Sequence, residues 1–152
     1  MNDTLIRLMA LGGKGYNCSQ VLIILALEER GGSNPALVRA MAGPAYGCGN
    51  NQGACGALTG GSCILGLYGG KGSDNEAASE KLPIMLQELS DWFVERVGGM
   101  HGGITCEAIV GNAGPEASRR TCGTMVAETF EKAMEILTIN GFEPAGGMYD
   151  GT

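Results

Sequence analysis

Residues 47–70 read GCGNNQGACGALTGGSCILGLYGG, and this stretch holds three of the six cysteines of the chain. Its first part is too rich in glycine for an ordinary core segment, whereas an apolar pattern resumes from Cys55 onward. This change predicts a loop that leads into a helix over residues 55–67. Each glycine inside a helix costs roughly 1 kcal/mol relative to alanine, so contacts with the rest of the protein must hold this helix. We therefore expect another helix, or a cofactor, to approach it closely.

The composition predicts one domain over residues 1–152. The chain has 152 residues, of which 44% are hydrophobic, and this is enough for a single core. No segment shows the sustained alternation of a strand, whereas apolar residues repeat at helical spacing in several places. We expect an all-α, compact bundle of about five to seven helices with Gly-rich loops. The tail, residues 143–152, is expected to be loose.

Caps and stop signals place the individual helices. Asn17 and Thr121 are good N-caps, and Asn34 is followed by proline at the first helical position. Pro83 either kinks an amphipathic segment or marks its true start. The predicted helical segments are residues 4–11, 18–29, 36–41, 55–67, 76–97, 106–111 and 122–139.

Charge and hydropathy restrict the partners and the location. The net charge is −6, and the 10 Lys and Arg residues do not cluster, so nucleic-acid binding has little electrostatic support. The N-terminus lacks the basic and apolar regions of a secretory signal. The longest apolar run, residues 21–27, is far shorter than the ~20 residues that a membrane span needs. We predict a cytoplasmic protein that binds neither nucleic acid nor membrane. In a reducing cytoplasm, its thiols are metal ligands, redox-active groups or simply buried side chains.

Four cysteines share one predicted setting, the first turn of a helix. The backbone amides and the positive end of the helix dipole at such a position lower the pKa of a thiol and stabilise the thiolate, which is the form that binds metal. If the four helix starts converge, they form an electropositive pocket for a thiolate-ligated cluster. The alternative is that each is a small buried hydrophobe, since free cysteine is among the most buried residue types. The four are Cys18, Cys55, Cys106 and Cys122.

The spacing of these cysteines and the remaining candidates leave further alternatives open. Intervals of 37, 51 and 16 residues match neither zinc fingers nor bacterial ferredoxins, so the spacing does not support structural zinc. Cys63 follows Cys55 by eight residues, which puts both on nearly the same side of a continuous helix, and Cys48 can fold back from the loop. These two thiols extend the site of the four cysteines or form a dithiol beside it. Alternatively, Cys63 is a buried residue of the hydrophobic core. His101, the only histidine, is a further candidate ligand or proton carrier, although a lone loop histidine is usually at the surface.

The order of these motifs resembles a known family, the redox-active proteins named for the pattern C_GCAxxG_C_C. The resemblance rests on Cys18, on the Cys55–Gly61 motif CGALTGG, and on Cys106 and Cys122, and it extends over residues 15–138. It implies a small helical protein of anaerobic prokaryotes that performs redox chemistry and binds an iron–sulfur or di-iron centre through these four cysteines. This chain departs from the family name at Ala54 and Gly56, which flank Cys55.

The sequence thus predicts a redox or electron-transfer protein, a possible oxidoreductase, with an iron–sulfur cluster on Cys18, Cys55, Cys106 and Cys122. Its partner would be an electron donor or acceptor protein or a small redox substrate, and Gly-rich helical faces suit a homodimer. The alternatives are a metal-free thiol–disulfide oxidoreductase that uses one cysteine pair, and a non-catalytic helical module with structural zinc or inert buried thiols.

Overall fold

The computed structural model describes residues 3–111 and 115–145, with the backbone alone for residues 115–120. An all-α fold is confirmed, since the described residues contain no strand and a single isolated β-bridge, between Ala54 and Thr105. One π-helical turn, Val94–Gly98, continues α5, whereas Gly47–Asn51 is an irregular turn in which Cys48 and Gly49 are not helical. The helices are α1 (Asp3–Gly13), α2 (Cys18–Glu29), α3 (Pro35–Ala40), α4 (Gly56–Gly69), α5 (Leu82–Phe93), α6 (Gly99–His101), α7 (Cys106–Val110) and α8 (Pro115–Ile139).

Helix α4 lies at the centre of the bundle, with α2, α5 and α8 packed around it. Its glycines permit this packing. A Cβ atom at Gly60 would lie 3.1 Å from the Ser19 Cα and 2.8 Å from a methyl group of Leu22, both on α2. A Cβ at Gly61 would meet Thr129 of α8 at 2.7 Å. The close approach of neighbouring helices, which the glycine content predicts, is therefore observed on two sides of α4.

The core is built mainly from aliphatic side chains, with the aromatic rings of Phe93 and Phe130 among them. Phe93 is fully buried, and the Ser19 hydroxyl, also fully buried, donates a hydrogen bond of 2.6 Å to the Met41 carbonyl. This bond satisfies a polar group inside the α2–α4 contact, where an unpaired hydroxyl would cost stability. The aliphatic side chains with less than 2% exposure include Leu22, Ile23, Ile64, Leu65, Leu89, Ile136 and Leu137.

Several helix bounds differ from the predictions. Helix α5 begins at Leu82, so Pro83 marks its start and residues 76–81 are not part of it. Helix α8 begins at Pro115 rather than Cys122, because proline fits the first turn of a helix and Thr121 is an interior residue. The predicted loose tail lies mostly outside the described residues, but Pro144 accepts a 2.6 Å hydrogen bond from the Tyr68 hydroxyl.

Within the described part of the chain, no helix combines the length and the apolar character that crossing a bilayer requires.

Candidate functional site

The four candidate cysteines occupy three kinds of position. Cys18 and Cys106 are the first residues of α2 and α7. Cys55 is the N-cap of α4, and its sulfur accepts a 3.4 Å hydrogen bond from the Ala57 backbone amide. Cys122 lies in the interior of α8, so the prediction of a helix start is wrong for this residue. Three of the four cysteines therefore lie at helix starts, and backbone amides donate to the sulfurs of two of them, Cys18 and Cys55.

A short antiparallel bridge joins the segments that carry Cys55 and Cys106. The Cys55 amide donates to the Ile104 carbonyl at 2.7 Å, and the Cys106 amide donates to the Gly53 carbonyl at 3.1 Å. The paired residues Ala54 and Thr105 directly precede the two cysteines. This pairing fixes the start of α4 beside the start of α7.

Glycines without room for a side chain surround these thiols. A Cβ at Gly56 would lie 2.5 Å from the Cys18 sulfur, so only glycine leaves space for this thiol. Gly47 has a φ of +58°, and a Cβ there would meet the Gly53 carbonyl oxygen at 2.7 Å and the Cys106 Cβ at 3.2 Å. The loop of residues 47–53 therefore folds tightly against the start of α7.

Burial raises the pKa of all four thiols, which contradicts the expectation from their helix-start positions. For Cys18, burial outweighs the hydrogen bonds from the backbone amides of Tyr46 and Ser19, which lower its pKa. Burial raises the pKa of Cys55 to about 12, even though the Ala57 amide opposes this shift. It likewise raises the pKa of Cys122 to about 11 and also raises that of Cys106. Loss of hydration thus exceeds the effect of local amides and dipoles.

The four thiols also act on one another electrostatically. After burial, the charge of Cys18 is the next cause that raises the pKa of Cys106 and of Cys122. The charges of both Cys18 and Cys122 raise the pKa of Cys55. Such mutual effects require proximity, so the structure gathers the four cysteines in one region between α2, α4, α7 and α8. Among the described residues, however, no three His, Cys, Asp or Glu side chains form a group that could hold a metal ion.

The remaining two cysteines differ from this group. Cys48 is exposed in the turn of residues 47–51 and has a left-handed backbone with φ of 62°. Cys63 is exposed on α4, whereas Cys55 is buried, so the alternative of a core position for Cys63 is wrong. The neighbouring helices cover the start of α4 but leave Cys63 uncovered.

His101 ends α6 and is partly buried rather than fully at the surface. Its Nε2 atom is buried and has no hydrogen-bond partner among the described residues. The imidazole lines a cleft of about 280 Å³ together with Thr121 and Met125. Thr121 directly precedes Cys122 in the chain. His101 thus lines the same cleft as the residue before Cys122, but among the described residues it forms no metal-ligating group with the cysteines.

Sequence reasoning missed the contribution of the backbone between residues 46 and 53. The Tyr46 amide reaches the Cys18 sulfur, and the Gly53 carbonyl binds the Cys106 amide. The left-handed conformations of Tyr46, Cys48 and Asn51 had no sequence signal, because such backbone is rare outside glycine. The density of glycine in residues 47–53 was the available sign of close backbone approach.

The fold and the site define a class, small all-α proteins with a group of buried and half-buried thiols, three of them at helix starts. Residues 16–136 match the family model described as "Putative redox-active protein (C_GCAxxG_C_C)". The chain belongs to this redox-active family, which confirms the resemblance of its motifs. No curated protein and no solved structure shows significant similarity to the chain.

Proposed function

We propose that this chain is an electron-transfer or redox protein that holds an iron–sulfur cluster on Cys18, Cys55, Cys106 and Cys122. The observation that carries the proposal is the packing of the Cys18 sulfur against the start of α4, together with the bridge that joins the segments of Cys55 and Cys106. The thiols also act electrostatically on one another. Cysteine thiolates are the usual ligands of iron–sulfur clusters, so the chemistry of the donor set suits such a group, and its side chains must move together to hold it. Membership of a redox-active family supports the same class of chemistry.

The chain would contribute a shielded set of ligands. Because burial raises the pKa values of the thiols, they stay protonated at neutral pH in the absence of metal, and metal binding must release their protons. The amides of Ala57 and Tyr46 then donate to thiolate sulfurs, which stabilises the bound anionic form. When bound, an iron–sulfur cluster supplies one-electron transfer.

Anaerobic purification with quantification of iron and sulfide tests the proposal. We expect iron and sulfide together with a visible absorption band, all lost in Cys55→Ser. Cys63→Ser is the matched control, since it removes an exposed thiol from the same helix, and it should retain both elements. A colourless protein without iron after attempted reconstitution would overturn the proposal.

Gly56→Ala tests the packing around the ligands without removing a thiol. The new methyl group would lie 2.5 Å from the Cys18 sulfur and must displace it. We expect a several-fold loss of bound iron in a protein that keeps its helical circular dichroism. Gly66→Ala is the control, because a Cβ at Gly66 meets no atom within 4 Å. Equal iron contents in the two variants would show that the position of Cys18 is irrelevant to metal binding.

The same measurements separate the alternatives that the sequence left open. Iron without sulfide would indicate a di-iron centre, and zinc would indicate a structural site. A metal-free protein in which one thiol pair cycles with disulfide would be an oxidoreductase of the thiol–disulfide type. The raised pKa values disfavour this last function, because it needs a thiolate at neutral pH. An anaerobic host, a cytoplasmic location, an electron-transfer partner and a homodimer stay predictions.

A further inference from the structure

We propose that the cleft between α1, α2 and α3 binds a small amphipathic organic anion, with an apolar body and one carboxylate, sulfonate or phosphate group. The cleft has a volume of about 530 Å³. This volume lies within the range of roughly 300–1,000 Å³ that is usual for small-molecule sites. No part of the cleft contributes to the proposed cluster site.

The charge of the cleft is opposite to that of the protein. The chain has a net charge of −6 and only 10 Lys and Arg residues, yet Arg7, Lys14 and Arg39 all line this cleft. Among the described residues, the one carboxylate in the lining belongs to Glu28, which is paired with Arg7. Lys14 also acts electrostatically on the Glu28 carboxylate, so it lies close to this pair. An excess of positive charge therefore remains for an anionic ligand.

The base of the cleft is apolar. Leu11 and Leu27 line it with 2% exposure each, and Ile24 and Val38 are partly buried beside them. The Tyr16 ring, 39% exposed, forms part of the wall. A purely inorganic anion would leave this surface in contact with water, whereas an anion with an apolar body would cover it.

Side-chain hydrogen bonds fix the walls of the cleft before any ligand binds. Arg7 joins α1 to α2 through two hydrogen bonds to Glu28, Nε to Oε1 at 3.0 Å and a terminal nitrogen to Oε2 at 2.5 Å. Gln20 joins α2 to α3, since its Nε2 donates to the Val38 carbonyl at 3.1 Å. Its Oε1 accepts from the Asn17 amide at 3.1 Å. Such a preformed site loses little conformational entropy on binding.

Helix α2 separates this cleft from the thiols. Gln20, Ile24 and Glu28 recur at a spacing of four residues and form the face of α2 that lines the cleft. Ser19 and Leu22 lie on another face, against α4. Cys18 precedes Gln20 by two residues, which places it about 200° around the helix. The proposal therefore stands or falls independently of the cluster.

A pair of fluorescent probes tests both parts of the proposal. One is 8-anilinonaphthalene-1-sulfonate, a planar apolar anion, and the other is N-phenyl-1-naphthylamine, the same ring system without charge. We expect saturable binding of the anion that weakens as salt is added. The double variant Lys14→Gln/Arg39→Gln should weaken it by about tenfold, which corresponds to roughly 0.7 kcal/mol for each exposed charge. The affinity for the neutral probe should stay unchanged.

Two further variants complete the test. Lys71→Gln makes the same charge change in the loop after α4, outside the lining of the cleft, and should leave both affinities unchanged. Val38→Ser reduces the apolar base and should weaken both probes several-fold. The proposal is overturned if no saturable binding occurs, if the double variant binds the anion normally, or if Lys71→Gln weakens it equally.

Discussion

Helix α4 carries two contrasting environments within a few turns. Its start is enclosed by α2, α5 and α8, so Cys55, Gly56 and Gly60 are buried. Farther along, Cys63 is exposed and Gly66 has open space beside it. The same two residue types therefore serve different purposes on one helix. Glycine and cysteine at the start create a crowded site, whereas Cys63 and Gly66 lie where neighbouring helices leave α4 uncovered.

The largest expected difference is in thiol reactivity. In folded, metal-free protein at neutral pH, iodoacetamide should modify exposed Cys63 and Cys48 long before Cys55. A pKa raised from 9.0 to about 12 lowers the thiolate fraction of Cys55 about a thousandfold, at tenfold per unit, and burial restricts access further. The rate at Cys55 should rise with pH until the pH approaches 12.

Peptide mapping by mass spectrometry measures these rates residue by residue. Circular dichroism verifies that the metal-free protein is folded, and a denatured sample provides the reference rate for each thiol. Equal modification of Cys55 and Cys63 in the folded protein would remove the distinction between the two environments.

The second difference concerns stability. In Gly60→Ala, the new Cβ would lie 3.1 Å from the Ser19 backbone, so α2 must move, and we expect a loss of about 1–3 kcal/mol in the free energy of unfolding. Gly66→Ala adds a methyl group in open space and restricts the unfolded chain, so it should gain about 0.5–1 kcal/mol. Urea denaturation of both variants gives the comparison, and changes of the same sign would contradict it.

The smallest expected effect is at Tyr68, near the end of α4. Its hydroxyl donates to the Pro144 carbonyl and its ring lies 4.5 Å from the Arg30 guanidinium carbon. Tyr68→Phe keeps the ring but loses the hydrogen bond, so the free energy of unfolding at pH 7 should fall by about 1 kcal/mol.

The same side chain gives a pH dependence. Burial raises the pKa of Tyr68 to about 12, whereas an unfolded tyrosine ionises near its ordinary pKa of 10.0. The folded state therefore retains the proton between these values, and the free energy of unfolding falls as pH rises from 10 towards 12. Urea denaturation across this range should show a shallower decline in Tyr68→Phe than in the unmodified protein. Parallel curves would mean that Tyr68 does not titrate differently in the two states.

Local signals predicted part of this structure well. The bounds of α2 follow from Asn17 and from the glycines after Arg30, and both predicted ends, 18 and 29, agree with the structure. The start of α8 was predicted seven residues too late, at Cys122, because Thr121 resembles an N-cap and Pro115 was not recognised as a first helical residue. A single capping residue therefore predicts the start of a helix well. Where two residues could both mark the start of one helix, the sequence does not show which of them does.

The environment of the site depends on tertiary packing and was less predictable. Residue type and helix position suggested low pKa values for Cys18 and Cys55, but their burial reverses the sign. The cations of the α1–α3 cleft are dispersed along the sequence at positions 7, 14 and 39, so no cluster was visible. Both features arise only when distant segments pack together.

The bridge between Ala54 and Thr105 has a consequence for the order of events during synthesis. Its partners are 51 residues apart, so the ribosome must complete residue 105 before this pair can form. The full group of four thiols cannot assemble before Cys122 has been made, because this residue is the last of the four in the sequence. Bringing such distant residues together also costs loop-closure entropy. A metal ion or oxidant that reaches the growing chain earlier would meet separate cysteines rather than a site.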